Sequence, residues 1–187
     1  MSRVAGLVLA AGAGRRYGGP KALARQDGVL FLDLATTVLL DGGCTPVYAV
    51  LGAAADEVLA TANLLDVTPV HNPDWPTGMG SSLRAGLAAL PADVDAVIVL
   101  PVDMPGLTAE AVRRVRAHAS PTALAAATFH GRRGHPVLFG RAHWAGAAAA
   151  AIRDTGAREY LSTHPPLPVA CEDVAEGSDV DTPNPLG

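Results

Sequence analysis

The sequence predicts an α/β architecture, a mostly parallel sheet with helices on both faces, and three observations carry that prediction. Short apolar runs alternate with stretches whose apolar residues recur three and four apart, the rhythm of right-handed strand–helix–strand units. The early apolar runs are nearly continuous, as expected for strands buried on both faces. No repeat, low-complexity tract or Pro/Ser linker divides the 187 residues, so one domain over 1–187 is expected.

The first strand is read at Val4–Ala10. It empties into Ala11-Gly12-Ala13-Gly14-Arg15-Arg16-Tyr17-Gly18-Gly19-Pro20-Lys21, a loop too small-sided to pack. Leu30, Leu34, Val38 and Leu39 then stripe a helix. Strands follow at Pro46–Leu51 and Val67–Val70, and the loop Asn72–Leu83 feeds a helix marked by Leu83, Leu87 and Leu90. A strand at Ala96–Leu100 runs out towards Asp103. The next helix carries Leu107, Ala111, Val112 and Val115, with Thr108 as its cap and Arg113, Arg114 and Arg116 facing water. Beyond about Ala119 the register changes. Ala123–Phe129 and Gly134–Phe139 are strands joined by the hairpin loop His130-Gly131-Arg132-Arg133. Helices at Ala145–Arg153 and Ala157–Ser162 follow; His164-Pro165-Pro166 stops the second, and a last strand lies at Leu167–Cys171. The sheet is therefore expected to be mixed on its C-terminal side.

Composition narrows the function. A formal charge of -4 and 4% aromatic residues exclude a broad nucleic-acid surface, which needs a basic face or stacking platforms. The basic residues cluster locally, as suits a small anionic ligand. Cys44 and Cys171 are far apart without metal-binding spacing, which fits a reducing compartment. Arg3 followed by Val4 to Ala13 has the outline of a signal peptide, but the apolar stretch is short and runs straight into Arg15-Arg16. No run reaches the ~20 apolar residues of a membrane span, and a cytoplasmic location without membrane partners is expected.

In a parallel sheet, ligands sit beyond the carboxyl ends of the strands. That rule selects three loops. The first reads as a phosphate cradle: glycine amides can approach an anion, and Arg15, Arg16 and Lys21 can neutralise it. Its GxGxxxG spacing also admits a dinucleotide. However, Gly18-Gly19-Pro20 delays any helix, and no acidic residue ends the second strand to hold a ribose; Asp56 lies several residues on. No GxxxxGK[ST] occurs. In the second loop, Ser81 or Ser82 is either a helix cap or, with Gly78, part of a nucleotide surface. In the third, Asp103 either caps the following helix or binds Mg²⁺. Asp179 and Asp181 alternate as strand neighbours would, so one of them is expected to face a site; a solvated tail is the other reading. His135 reads as a packed hairpin histidine. No histidine pairs with a nucleophile, so covalent catalysis finds no support.

Together, Leu9-Ala10-Ala11-Gly12-Ala13-Gly14-Arg15-Arg16-Tyr17-Gly18-Gly19-Pro20-Lys21, Gly78-Met79-Gly80-Ser81-Ser82-Leu83, Leu100-Pro101-Val102-Asp103-Met104-Pro105, Arg133-Gly134-His135-Pro136-Val137 and Asp179-Val180-Asp181-Thr182-Pro183 resemble the MobA-like nucleotidyltransferases. Among those, the second and fourth blocks look most like the molybdenum cofactor cytidylyltransferase (MocA) branch. The resemblance implies a Rossmann-like three-layer α/β sandwich of the nucleotide-diphospho-sugar transferase type. It implies transfer of a nucleotide, CMP from CTP, to the phosphate of molybdopterin cofactor, with a molybdoenzyme or its chaperone as a further partner. By motif position, the backbone of Leu9, Ala10, Ala11, Gly12 and Gly14 holds the nucleotide together with Gly78, Ser81 and Ser82. Arg16 and Lys21 face the triphosphate, leaving Arg15 on the surface, while Asp103 and Asp181 bind Mg²⁺. The chain departs from the family at Pro20, where an acid is common, and at Asp27-Gly28-Val29-Leu30-Phe31, where a Gly-Lys-Pro-Leu-like segment is usual. An NAD(P)H-dependent oxidoreductase using the same loop, and a non-catalytic nucleotide-binding module, are the alternatives.

Overall fold

A computed structural model describes residues 1–184. In chain order, β1 (Val4–Ala10) is followed by a 3-10 turn at Lys21–Leu23 and a small hairpin, β2 (Arg25–Gln26) with β3 (Val29–Leu30). Then come α1 (Phe31–Asp41), β4 (Val47–Leu51), α2 (Ala55–Thr61), β5 (Val67–His71), α3 (Met79–Ala89) and β6 (Ala96–Pro101). The second half holds α4 (Ala109–Arg116), β7 (Leu124–Phe129), β8 (Arg132–Gly140), α5 (Trp144–Ala150), α6 (Arg158–Thr163) and β9 (Leu167–Ala170).

The central sheet has seven strands in the order β5-β4-β1-β6-β8-β7-β9. β1 lies parallel to both β4 and β6, β4 to β5, and β7 to β9. Only β8 runs against its neighbours β6 and β7. The expected mixed region is this reversal. The chain builds outward from β1 to β5, then crosses to β6 on the other side of β1. That change of direction leaves a crevice beyond the carboxyl ends of β1 and β6.

Both faces of the sheet are covered, which is why its strands read as continuous apolar runs. Val4, Val8 and Ala10 of β1 point into a core with Phe31, Leu32 and Leu39 of α1 and with Val112 and Val115 of α4. Ala5 and Leu7 point the other way, against Leu83 and Leu87 of α3, Ala147 of α5 and Leu161 of α6. Gly86 lets α3 approach closely, since a Cβ there would lie 2.6 Å from a Leu7 methyl. Among the described residues, no helix is long and apolar enough to cross a membrane.

Several elements differ from the sequence reading. The Arg25–Leu30 hairpin turns at Asp27-Gly28, both at positive φ (50° and 83°), an Asp-Gly turn signal present in the sequence. α2 carries only one buried residue, Val58, so it has no stripe to read. The inward face of α1 centres on Phe31, Leu32, Ala35, Thr36 and Leu39, with Leu30 standing at the N-cap. The loop joining β7 to β8 is only His130-Gly131, both at positive φ (51° and 78°), so β8 starts at Arg132. α5 stops at Ala150 because Ala151 leaves the helix to pack on α3: its carbonyl accepts from Arg84, and a Cβ on Gly80 would lie 2.5 Å from that oxygen. Thr108 caps α4 as expected, accepting from the Ala111 amide at 3.3 Å.

Candidate active site

The opening loop is a closed turn. The Gly14 carbonyl accepts from the amides of Gly18 (2.9 Å) and Gly19 (3.1 Å). Gly14 sits at φ 61°, and a side chain there would overlap the Gly19 carbonyl oxygen. Gly12 is the opposite case: it is exposed, and a Cβ would meet nothing within 4 Å. Space is therefore held open over its backbone. Ala10 is buried in the core, so only its main chain is available to a ligand.

A cavity of about 310 Å³ lies between this loop and the segment preceding α3. Leu9, Ala11, Gly12, Ala13, Gly14 and Arg15 form one wall, and Trp75, Pro76, Gly78, Met79 and Ser82 the other, with Asp154 at the rim. Gly78 requires its own residue type: it has φ 117°, and a Cβ would overlap the Arg153 backbone. Neither serine caps α3, whose N-cap is Gly78. Both are buried instead, at 5% and 4% exposure for Ser81 and Ser82. Ser81 Oγ lies within hydrogen-bond distance of the Asp74 (3.0 Å) and Gly78 (2.9 Å) carbonyls, so Ser81 shapes the loop while Ser82 reaches the cavity wall. Asn72, which the sequence reading did not single out, organises both. Its Nδ2 donates to Ser81 Oγ (2.9 Å) and Ser82 Oγ (3.1 Å), and its Oδ1 accepts from the Asp74 amide.

The charged centre assembles at the crevice. Asp103 follows β6, and its neighbour Val102 donates to the Leu9 carbonyl at 3.1 Å. The Val180 amide donates to the carbonyl of Asp103 itself (2.9 Å). This pinning brings Asp179 and Asp181 together with Asp103, so that one carboxylate oxygen from each lies within 4.8 Å of the others. The segment makes no strand, and the expectation that only one of the pair faces the site is corrected: without a sheet ladder nothing forces alternation. Lys21 completes the group, its Nζ 2.8 Å from Asp103 and 3.5 Å from Asp181. Burial works against the Lys21 ammonium, but the hydrogen bond and charge of Asp103, with Asp181 adding, outweigh it and hold its pKa above the ordinary value. Three carboxylates gathered in this way are hard oxygen donors suited to a divalent cation such as Mg²⁺ or Mn²⁺. Arg15 and Arg16 are both exposed, as expected for Arg15, and Arg15 also stands in the lining of the 310 Å³ cavity.

A second cavity of about 440 Å³ opens on the other side of Leu9. Its buried lining is apolar, from Leu83, Val99, Val137, Phe139 and Leu161, and Asp103 and Asp179 also line it. Arg133, Arg158 and Asp154 stand in its lining as polar groups. His135 projects here too, where burial first and the Arg133 charge second push its pKa down to about 4. At neutral pH it is an uncharged donor and acceptor within the cavity. Leu9, Met79 and Asp154 are common to both cavities, and of the three clustered carboxylates the larger cavity carries Asp103 and Asp179.

Comparison with known proteins matches this geometry to a family. The family model for the MobA-like NTP transferase domain covers residues 6–168. A curated relative, nicotine blue oxidoreductase of Paenarthrobacter nicotinovorans, is 40% identical over 189 aligned residues, covering 96% of this chain and 92% of that protein. The crystal structure of Rv0371c from Mycobacterium tuberculosis H37Rv superposes with a TM-score of 0.81 at 26% identity, over 97% of this chain and 94% of that one. The same protein was also solved in complex with manganese, and there the TM-score is 0.78 at 25% identity, over 90% and 88% of the two chains. The overall fold is thus shared with solved relatives, and the chain belongs to the MobA-like NTP transferase domain family.

Proposed function

We propose that the protein is a Mg²⁺-dependent nucleotidyltransferase that moves a nucleotide, CMP from CTP, onto the phosphate of a small-molecule acceptor of the molybdopterin type and releases pyrophosphate. The observation that carries this reading is the charge cluster of Lys21, Asp103, Asp179 and Asp181 beside the wall shared by two cavities. One substrate per cavity is what a transfer between two ligands requires.

In this reading the backbone of Leu9, Ala10, Ala11, Gly12 and Gly14 carries the nucleotide, with Gly78 and Ser82 opposite and Ser81 shaping the turn. Lys21 and the exposed Arg15-Arg16 pair face the triphosphate. Asp103, Asp179 and Asp181 hold the divalent ion, which when bound would draw charge off the phosphates. An oxygen of the acceptor phosphate attacks the α-phosphorus, and the bond to the β-phosphate oxygen breaks as pyrophosphate leaves. The attacking oxygen arrives ionised, so no general base is needed. The residues supply position and charge neutralisation instead. Arg133, Arg158 and the neutral His135 would orient the acceptor in the larger cavity.

The name of the 40% identical relative favours a second reading, an NAD(P)H-dependent oxidoreductase. Against it, the opening loop does not run directly into an α-helix of its own, as a dinucleotide-binding loop does: α1 begins only at Phe31, beyond the β2–β3 hairpin. β4 ends in Leu51-Gly52-Ala53 with no acid for a ribose, and Asp56 is exposed on α2. Thermal shift with CTP, GTP, ATP, NADH and NADPH, each with Mg²⁺ or EDTA, separates the two, because a ligand bound to the native state raises apparent stability. The transferase reading expects a CTP shift that grows with Mg²⁺ and pyrophosphate release that Asp103→Asn abolishes while the protein stays folded. An NADPH shift indifferent to EDTA, with no response to any nucleoside triphosphate, would replace it.

A further inference from the structure

The carboxylates of the site come from two places far apart in sequence, and the second is a segment without regular structure. From Cys171 to Asp181 the chain leaves the end of β9 and runs back along the turn that follows β6. The geometry points to this segment being a strap whose docking sets the cation site, with Thr108 and Arg114, neither of which touches the site, as its positioning residues. This rests on the reading of Asp103, Asp179 and Asp181 as cation ligands.

The docking contacts form a continuous series. Arg114 of α4 donates to the Ala170 carbonyl (3.0 Å) and grips Asp173 with two bonds, of 2.7 and 2.9 Å. Thr108 Oγ1 donates to the Val174 carbonyl (3.0 Å) while also accepting from Ala111 as the cap of α4. The Glu176 amide then donates to the Gly106 carbonyl (3.0 Å), and the Val180 amide to Asp103 (2.9 Å). Glycines give the strap its close seat. A Cβ on Gly106 would lie 2.6 Å from Glu176 Cβ, and one on Gly177 would overlap the Phe129 ring.

Each of these bonds ties the strap to the Asp103 turn or to the helix that leaves it. The last falls on Val180, between the two carboxylates, and ends on the residue that supplies the third. The three oxygens converge because the two segments are hydrogen-bonded to each other, and an undocked strap leaves Asp103 alone. Cation binding and strap docking are therefore linked, and linkage is reciprocal. What loosens the strap weakens the cation, and the cation tightens the strap.

The test uses the full chain and manganese alone, so it does not depend on nucleotide transfer. Thr108→Asp keeps a good N-cap acceptor but removes the donor to Val174. Arg114→Ala removes the Asp173 grip, while Thr108→Ser and Arg114→Lys serve as conservative controls. Mn²⁺ affinity is measured by calorimetry, and amide exchange at Glu176 and Val180 by mass spectrometry or NMR. The Thr108→Asp, Arg114→Ala double variant is expected to bind Mn²⁺ about tenfold more weakly, the order expected from losing one neutral and one exposed charged contact. Its melting temperature in EDTA should stay close to wild type, and Thr108→Ser should restore most of the affinity when it replaces Thr108→Asp. In the wild type, Mn²⁺ should slow exchange at Glu176 and Val180, and Asp103→Asn should abolish that slowing. Unchanged Mn²⁺ affinity in the double variant, or exchange indifferent to Mn²⁺ in a wild type that binds it, overturns the strap. A wild type that binds no Mn²⁺ overturns the cation reading beneath it.

Discussion

Replacing Lys21 with methionine is expected to tighten divalent cation binding, although the lysine is placed among the reacting groups. The Lys21 ammonium lies 2.8 Å from Asp103 and 3.5 Å from Asp181, where its single positive charge pairs with two of the three carboxylates a cation would use. Both members of the closer pair are largely buried, with side chains 16% and 21% exposed. Their gross attraction is about 6 kcal/mol at an effective dielectric constant of ~20, but desolvation offsets most of it. The net value of such a charge-assisted bond is about 1.5–3 kcal/mol. An incoming cation must displace that bond before it can use Asp103. Removing the ammonium spares this step and should raise Mn²⁺ affinity by about tenfold to hundredfold. Calorimetric titration of Mn²⁺ without nucleotide measures it. With CTP present the order should reverse, because the variant lacks the cation that would move onto the triphosphate. Equal or weaker Mn²⁺ binding by Lys21→Met in the absence of nucleotide would refute the reasoning.

Other substitutions probe the remaining parts of the site. Gly12→Ala should leave the melting temperature unchanged, since its Cβ meets nothing, yet weaken the CTP shift; Gly14→Ala, at φ 61° and against the Gly19 carbonyl, should lower both. A Gly12→Ala variant that binds CTP normally removes that glycine from the cradle. His135 has its pKa pushed down to about 4 from 6.5, so the unfolded chain takes up a proton that the folded protein refuses. The stability this contributes is complete above about pH 6.5 and lost as pH falls towards 4, by at most about 3 kcal/mol. Urea denaturation of His135→Gln across that window should show a flatter acid limb than wild type, and identical slopes would exclude the histidine. Burial pushes the Cys44 thiol up to about 12, so iodoacetamide should not label it in native protein at pH 8. Rapid labelling there would contradict its packing against Gly6.

The parts of the fold that read correctly from sequence are those where burial is symmetric. β1, β4 and β6 are covered on both faces, so their runs of Val, Leu and Ala need no partner to be recognised. α2 was not legible because it buries one side chain and rests on the surface. Strand direction in the second half was legible only as a change of register, since a hairpin signal gives pairing but not the place of each strand in the sheet. In the site, Lys21 and Asp103 were readable because glycine loops and strand-end acids carry local signatures. Asp179 was not separable from Asp181, because what gathers them is one hydrogen bond from Val180 to a residue far away in sequence. Arg15 and Arg16 were ranked by family spacing, yet both are exposed and it is Arg15 that stands in the cavity lining.

The reversal of β8 has a further consequence. Its pairing with β6 sets Val137 opposite Val99, and continuing that register sets His135 opposite Pro101. A strand parallel to β6 would bring its beginning to the far rim of the sheet, where it could touch nothing reactive. Running backwards, β8 delivers Arg133 to His135, near its start, to the larger cavity, fed by a two-residue turn at the tip of a hairpin. The smaller cavity draws on none of them. Substitutions at the hairpin tip therefore change the lining of the larger cavity and leave that of the smaller one as it is. A scaffold divided in this way can change what its larger cavity admits while the lining of the smaller cavity stays the same.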